Sequence, residues 1–314
     1  MNPLQNRIDF CVIISVDGAN PNGDPATMSW YPRVLYDGHG EISDVCLKRK
    51  IRNRLQDMGE EIFVQEDSRI DDGYRSLKER ILNFDDFKNE YRNKKPDFKK
   101  IYDSTCKKWI DIRTFGQVFP FKGAGNNLST NVRGCMSLWG ATSLDVIDVQ
   151  EIISIKSTNL NETEEGRKDS ASFFHRYMVH KAAYVTYGSI YCQLAEKNNF
   201  TEEDAEKIHQ ALITLFEGGA AAMRPAGTMN VQKVYWWKHN CKTGQYPQIK
   251  VFKTLDIQPQ KEYPFFTVTE TPLPDLTPEV YTLYEYSCAV TPQIRQTGNR
   301  LSGLAGTAYA SLLA

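Results

Sequence analysis

The segment that most constrains this chain runs from Arg7 to Gly59 and reads as strand, loop and helix in succession. Residues 7–16 (RIDFCVIISV) form a short apolar, β-branched run bounded by polar residues, the pattern of a buried strand. The loop from Asp17 to Pro25 then concentrates turn formers. Prolines preset φ, glycines admit positive φ, and Asn and Asp bond their own backbone. Ser43 or Asp44 is placed to cap a helix that ends near Gly59. On that helix Leu47, Ile51, Leu55 and Met58 share one face, which must pack on a sheet.

Further along, residues 65–105 are polar and charge-rich and read as an inserted, mostly exposed subdomain. Ile110 to Phe115 alternates like a strand, Gly116 to Gly125 like a glycine-rich aromatic loop. Asn131 to Leu138 and Val146 to Ile155 are further strand candidates, and 156–176 is expected to project. Thr201 to Asp204 resembles a capping box with Asp in place of Glu. It opens a helix whose Ile208, Ala211, Leu212 and Leu215 keep 3.6-residue spacing up to Gly218-Gly219. Thr228 to Lys238 alternates again as a strand. This order fits an α+β fold, a ferredoxin-like or RNA-recognition-motif sheet carrying long insertions. At 314 residues the chain suffices for one large domain or two small ones, and we expect one domain with insertions.

Composition narrows the class. With 41% hydrophobic and 25% charged residues, a soluble globular protein is expected, and no apolar stretch approaches the roughly 20 residues of a membrane span. The N-terminus lacks the layout of a signal peptide, so a cytoplasmic, membrane-free location is expected. Seven scattered cysteines without a C-x-x-C pair suit reduced thiols rather than disulfides or structural zinc. The net charge of −1 argues against coating DNA by bulk electrostatics but leaves room for a local basic stripe.

That stripe lies on the first helix. Lys48, Arg49, Lys50, Arg52 and Arg54 put five cations in seven positions, with no acid between Val45 and Gln56. Basic helices are most often solvated faces, yet a salt-bridged exposed helix normally interleaves carboxylates at i±4. Lys48 and Arg52 also stand one turn apart, so both are expected to reach one phosphodiester backbone held over the sheet. The Asn20 to Pro25 loop is either a structural turn or a nest of backbone N–H groups for an anion. Arg113 with Phe115, Arg133, and Arg224 after the small-residue loop Gly218 to Met223 are weaker anion-binding candidates.

Catalysis finds little support. There is no G-K-[ST] phosphate loop, no G-x-S-x-G elbow and no H-x-x-x-H spacing, so no cofactor or metal is expected. Asp17 and Asp24 flank the glycine loop, where a turn-forming role competes with holding a divalent ion.

The string NPNGDP at 20–25 followed by DVCLKRKIRN at 44–53 resembles the CRISPR-associated Cas-seven family, in particular its Csd branch, the backbone subunit of type I-C Cascade. DIRTFG at 111–116, VRGCMSL at 132–138, EIISIKSTN at 151–159 and GTMNVQKVYWWKH at 227–239 extend the likeness over roughly residues 7–255. The resemblance implies an RNA-recognition-like palm with inserted fingers and a thumb. It implies copies stacked as a filament along a CRISPR guide RNA, which pairs with target DNA, alongside a Cas-five subunit and a large subunit. Carried over residue by residue, Lys48, Arg49 and Arg52 would grip guide phosphates beside Asn20, Asn22 and Gly23. Arg113, Gly116, Arg133, Arg176 and Arg224 would lie in or near the RNA-binding surface. The family's RNA-cutting relatives use a loop aspartate, which makes a metal-dependent endoribonuclease acting through Asp24 or Asp17 the alternative to a non-enzymatic role. Residues 116–131 are longer than the family pattern, and 256–314 read as a C-terminal extension. Its end forms an amphipathic stretch bearing Leu301, Leu304, Ala305, Ala308 and Leu312 on one side.

Overall fold

The expected first strand is β1 (Ile8–Ala19), whose side chains are buried along nearly its whole length. The computed structural model describes residues 2–27, 30–93, 96–122, 127–155 and 173–283. The expected projection at 156–172 and the C-terminal stretch at 284–314 therefore lie outside the described residues. After β1 come β2 (His39–Ile42) and α1 (Asp44–Asp57). Ser43 is the cap of α1: its Oγ accepts from the Cys46 N–H.

The insertion holds α2 (Leu77–Leu82), α3 (Asp85–Arg92) and α4 (Phe98–Lys108). It is not merely an exposed excursion. Phe63, Ile81, Phe87, Ile101 and Trp109 form a core of their own, because the helices turn these scattered apolar residues to one side.

Ile110 to Phe115 is not a strand but a single buried helical turn and a half, α5 (Ile110–Phe115). Thr114 Oγ1 donates back to the Ile110 carbonyl, and Gly116 at φ 82° closes the helix. Ile110, Asp111, Ile112 and Thr114 are all buried, so the polar-apolar alternation does not mark an inside and an outside. The expected loop after Gly116 is instead a hairpin, β3 (Gly116–Lys122) against β4 (Asn127–Arg133). A Cβ on Gly116 would meet the Val132 carbonyl at 2.4 Å, so a close backbone crossing needs glycine there.

Beyond the break at Gly134 and Cys135 lie β5 (Met136–Leu138), β6 (Ala141–Val146) and β7 (Val149–Ile155). The 18-residue β8 (Phe173–Ile190) follows; it absorbs 173–176 and is absent from the sequence reading. Then come α6 (Cys192–Asn198), α7 (Glu202–Ile213) and β9 (Met229–Lys238). Both hydrogen bonds of the Thr201–Asp204 capping box are present. However, α7 stops at Ile213, a turn before the glycines, and Leu215 is buried outside it. Finally α8 (Gln248–Phe252), the hairpin β10 (Leu255–Pro259) with β11 (Phe266–Glu270), and β12 (Glu279–Thr282) complete the described chain.

Among the described residues eight strands make one antiparallel sheet in the order β12-β9-β1-β8-β6-β2, with β5 and β7 also paired to β8. On one face Phe10, Val12 and Ile14 of β1 pack with Leu47, Ile51 and Leu55 of α1 and Ile208 and Leu212 of α7. Burying each such side chain contributes about 1.5–3 kcal/mol. On the other face Cys11, Ile13, Tyr235 and Trp237 are sealed under Val251, Phe252, Leu255 and Phe266. β1 is covered on both sides, which is why it reads as a continuous apolar run. Among the described residues no helix is long and apolar enough to cross a membrane.

Candidate nucleic-acid interface

The basic helix sits between two clefts. One, of about 580 Å³, is lined by Arg49, Lys50, Asn53, Arg69, Arg224 and the backbone of Gly218 to Ala221. The other, of about 610 Å³, is lined by Lys48, Phe115, Arg133, Gly134, Ser137 and Gln193. The cations of α1 therefore divide between its two flanks instead of forming one row.

The cations of α1 find carboxylates both at the two ends of the helix, Asp44 and Asp57, and on other elements. Lys48 Nζ lies 2.8 Å from Asp44 Oδ2, one turn back and just outside the acid-free window. Arg52 is only 12% exposed; its Nε lies 3.0 Å from Asp111 Oδ2 and its guanidinium covers the Phe115 ring at 4.8 Å. Arg54 Nε donates to Thr214 Oγ1, and its Nη atoms lie 3.4 Å from Asp57 and Glu217. Arg49 Nη1 donates to the Val64 carbonyl at 2.6 Å. Lys48 and Arg52 thus point to different partners. Around β1 and β9 the sheet is closed to a phosphate chain, since α1 and α7 occupy one face there and α8 and the β10–β11 hairpin the other.

The Asn20 to Pro25 loop is locked beneath the start of α1. Asn22 Oδ1 accepts from both the backbone N–H and Oγ of Ser43, at 2.9 and 2.8 Å. Gly23 bridges to Pro32. Asn20 donates its backbone N–H to the Met223 carbonyl and is near-fully buried, with its Oδ1 lacking a donor. This brings the loop beside Arg224, whose Nη1 reaches the Asn20 carbonyl at 3.4 Å. Arg49 and Arg224 therefore meet at the first cleft, with Asn20 behind Arg224, and Lys48 and Arg133 at the second.

Two candidates lie elsewhere. Arg113 grips Asp204 with two bonds, 2.6 and 3.0 Å, and both side chains are largely buried. Arg176 stands on β8, with Nη2 donating to Ser154 Oγ and its guanidinium 5.9 Å from the Phe174 ring. Gly116 shapes the β3–β4 crossing that carries Arg133 to its cleft. Lys50 and Arg69 also line the first cleft. Lys50 belongs to the basic run but falls off the Lys48/Arg52 spacing, and Arg69 has no local signal at all.

Asp17 is exposed, and Asp24 Oδ1 accepts from the Ala26 N–H to start a short turn. Among the described residues no three His, Cys, Asp or Glu side chains are grouped to hold a metal ion.

Fold and clefts define a mixed α+β protein with a large antiparallel sheet and a basic helix set between two grooves. A family model described as CRISPR-associated protein Cas7 matches residues 6–272, and the chain belongs to that family. A curated relative, the CRISPR-associated protein Cas7 of Haloferax volcanii, is 23% identical over 216 residues, which is 65% of this chain and 62% of the relative. The match thus spans less than two thirds of that relative's length. Two solved chains are also similar. One is from a CRISPR RNA-guided surveillance complex, pre-nicking, with 12% identity, TM-score 0.45 and coverage of 79% of this chain and 86% of that one. The other is from a CRISPR RNA-guided surveillance complex, with 11% identity, TM-score 0.41 and coverage of 74% and 68%.

Proposed function

We propose that this chain is the guide-RNA-binding backbone subunit of a type I-C Cascade surveillance complex. Several copies stack along one guide, beside a Cas-five subunit and a large subunit, and present it for pairing with target DNA. The observation that carries this reading is α1, which turns Lys48 to one cleft and Arg49 and Lys50 to the other. Phosphate contacts from such a helix are independent of base sequence, as a carrier of many different guides requires. Sequence reading is left to base pairing. The strand order β9-β1-β8-β6, with α1 after β1 and α7 between β8 and β9, supports reading the sheet as an RNA-recognition-motif palm. In this reading the helices α2 to α4 form the fingers, and the chain holds RNA without cutting it.

The test is expression with a CRISPR array and measurement of co-purified RNA. Lys48→Ala with Arg133→Ala should lower RNA retention for unrelated guides alike and reduce the salt slope by roughly two. Unchanged retention in the folded double variant would refute the assignment. Labelled guide-complementary RNA incubated with Mg²⁺ should stay intact; cleavage that disappears in Asp24→Ala or Asp17→Ala would reassign the chain as a ribonuclease.

A further inference from the structure

We propose that Asn198 is a positioning residue for the second cleft: its buried side-chain amide holds the turn after Arg133 in place, and Tyr102 ties that amide to the insertion. The proposal rests on the guide-holding reading and adds to it a control on Arg133 from a residue that touches no guide.

Asn198 is the last residue of α6, is fully buried and lines neither cleft. Its Nδ2 donates to two carbonyls, that of Arg133 at 2.8 Å and that of Arg113 at 2.9 Å. Its Oδ1 accepts from the Tyr102 hydroxyl of α4. Both amide hydrogens and the amide oxygen are thereby engaged, so one side chain joins α4 of the insertion, the end of α5 and the end of β4. Burial pushes the Tyr102 hydroxyl up to about 12, so it stays protonated and remains a donor at neutral pH.

The turn that Asn198 holds has little freedom of its own. The Cys135 N–H donates to the same Arg113 carbonyl at 3.4 Å. Between them Gly134 packs so closely that a Cβ would overlap the Thr114 carbonyl oxygen and the Phe115 backbone. Arg133 is thus the last residue of β4 before a turn fixed against α5, and its exposed side chain lines the second cleft with Phe115 and Lys48. Guanidinium bonds to phosphate are directional, so a displaced Arg133 backbone weakens them where a point charge would tolerate the shift. Losing the Asn198 donors leaves two carbonyls without partners at the base of that turn, which favours its rearrangement.

The experiment measures the affinity of the full chain for short labelled single-stranded RNAs of two unrelated sequences, in wild-type, Asn198→Asp and Tyr102→Phe backgrounds. Aspartate matches asparagine in shape but offers at most one donor where two carbonyls need one each. Arg133→Ala should weaken binding about fivefold in the wild type, less than about twofold in Asn198→Asp, and by an intermediate factor in Tyr102→Phe, because coupled residues depart from additivity. Lys50→Ala, in the first cleft, should cost the same factor in all three, which a general loss of structure would not allow. If Asn198→Asp does not fold, Tyr102→Phe, which loses only a hydroxyl, decides the question. An Arg133→Ala cost that is equal in every folded background, a zero cost included, would overturn the positioning role and leave the guide-holding reading standing. A wild-type protein that binds no RNA would overturn both together.

Discussion

Asp111 Oδ2 receives both the Arg52 guanidinium and the Val64 N–H at 3.0 Å, while Oδ1 takes the Phe63 N–H at 2.8 Å. One near-fully buried carboxylate therefore joins α1, the chain entering the insertion, and α5. Asp111→Asn puts an amide donor where donors already converge, and should destabilise the protein by about 3 kcal/mol. Urea denaturation checks this, and an unshifted midpoint would contradict it. On the proposed function, any loss of RNA binding in Arg52→Ala would come partly through folding, which makes Lys48 the cleaner probe.

Arg113→Lys addresses the second buried pair. A lysine cannot span both Asp204 oxygens, one of which also accepts from the Thr201 N–H at 2.9 Å. We expect a loss of about 1–2 kcal/mol and faster hydrogen exchange in the first turn of α7. Exchange at wild-type rates there would show that the capping box holds α7 unaided.

Gly244→Ala is predicted to be severe. The residue sits at φ 87°, and a Cβ would meet the Arg7 guanidinium carbon at 2.0 Å. Arg7 is bonded to Asp9, which also takes His239 Nε2 and Ser189 Oγ, so the clash falls on a buried network joining β1, β8 and the chain after β9. A cost of about 3 kcal/mol or more is expected from positive-φ strain and the displaced arginine together. The thermal midpoint reports it.

The insertion holds one acid-sensitive pair of its own. The Arg80 guanidinium, with smaller help from the Tyr74 N–H, holds the Asp72 carboxyl below the ordinary carboxylate value. A depressed carboxylate contributes stability above its unfolded-state pKa and loses it as pH falls through the folded-state value. Asp72→Asn should therefore cost stability at neutral pH and progressively less as the medium is acidified past the ordinary carboxylate range. Denaturation midpoints at both conditions test the sign; an equal loss at each would exclude the charge as the cause.

The sequence by itself determined the elements whose signals act within a turn or two of chain. β1 was legible because both its faces are buried, α1 and α7 because Ser43 and Thr201 cap them locally, and β9 because its β-branched and aromatic residues mark a strand although both its faces are covered. Family membership was legible from the loop and basic helix together, and the family match bears it out. Only the tertiary structure decided what the basic residues do. Arg52 meets Asp111 across 59 positions and Arg113 meets Asp204 across 91, so no local window contains both partners. The helix α5 imitates a strand because burial on all sides erases the periodicity that distinguishes the two. β8, whose charged and apolar residues follow no clean alternation, takes its conformation from the β1, β5, β6 and β7 strands it pairs with. Long-range pairing, not local propensity, thus separated the cations that hold the fold from Lys50 and Arg224, which it leaves facing a cleft.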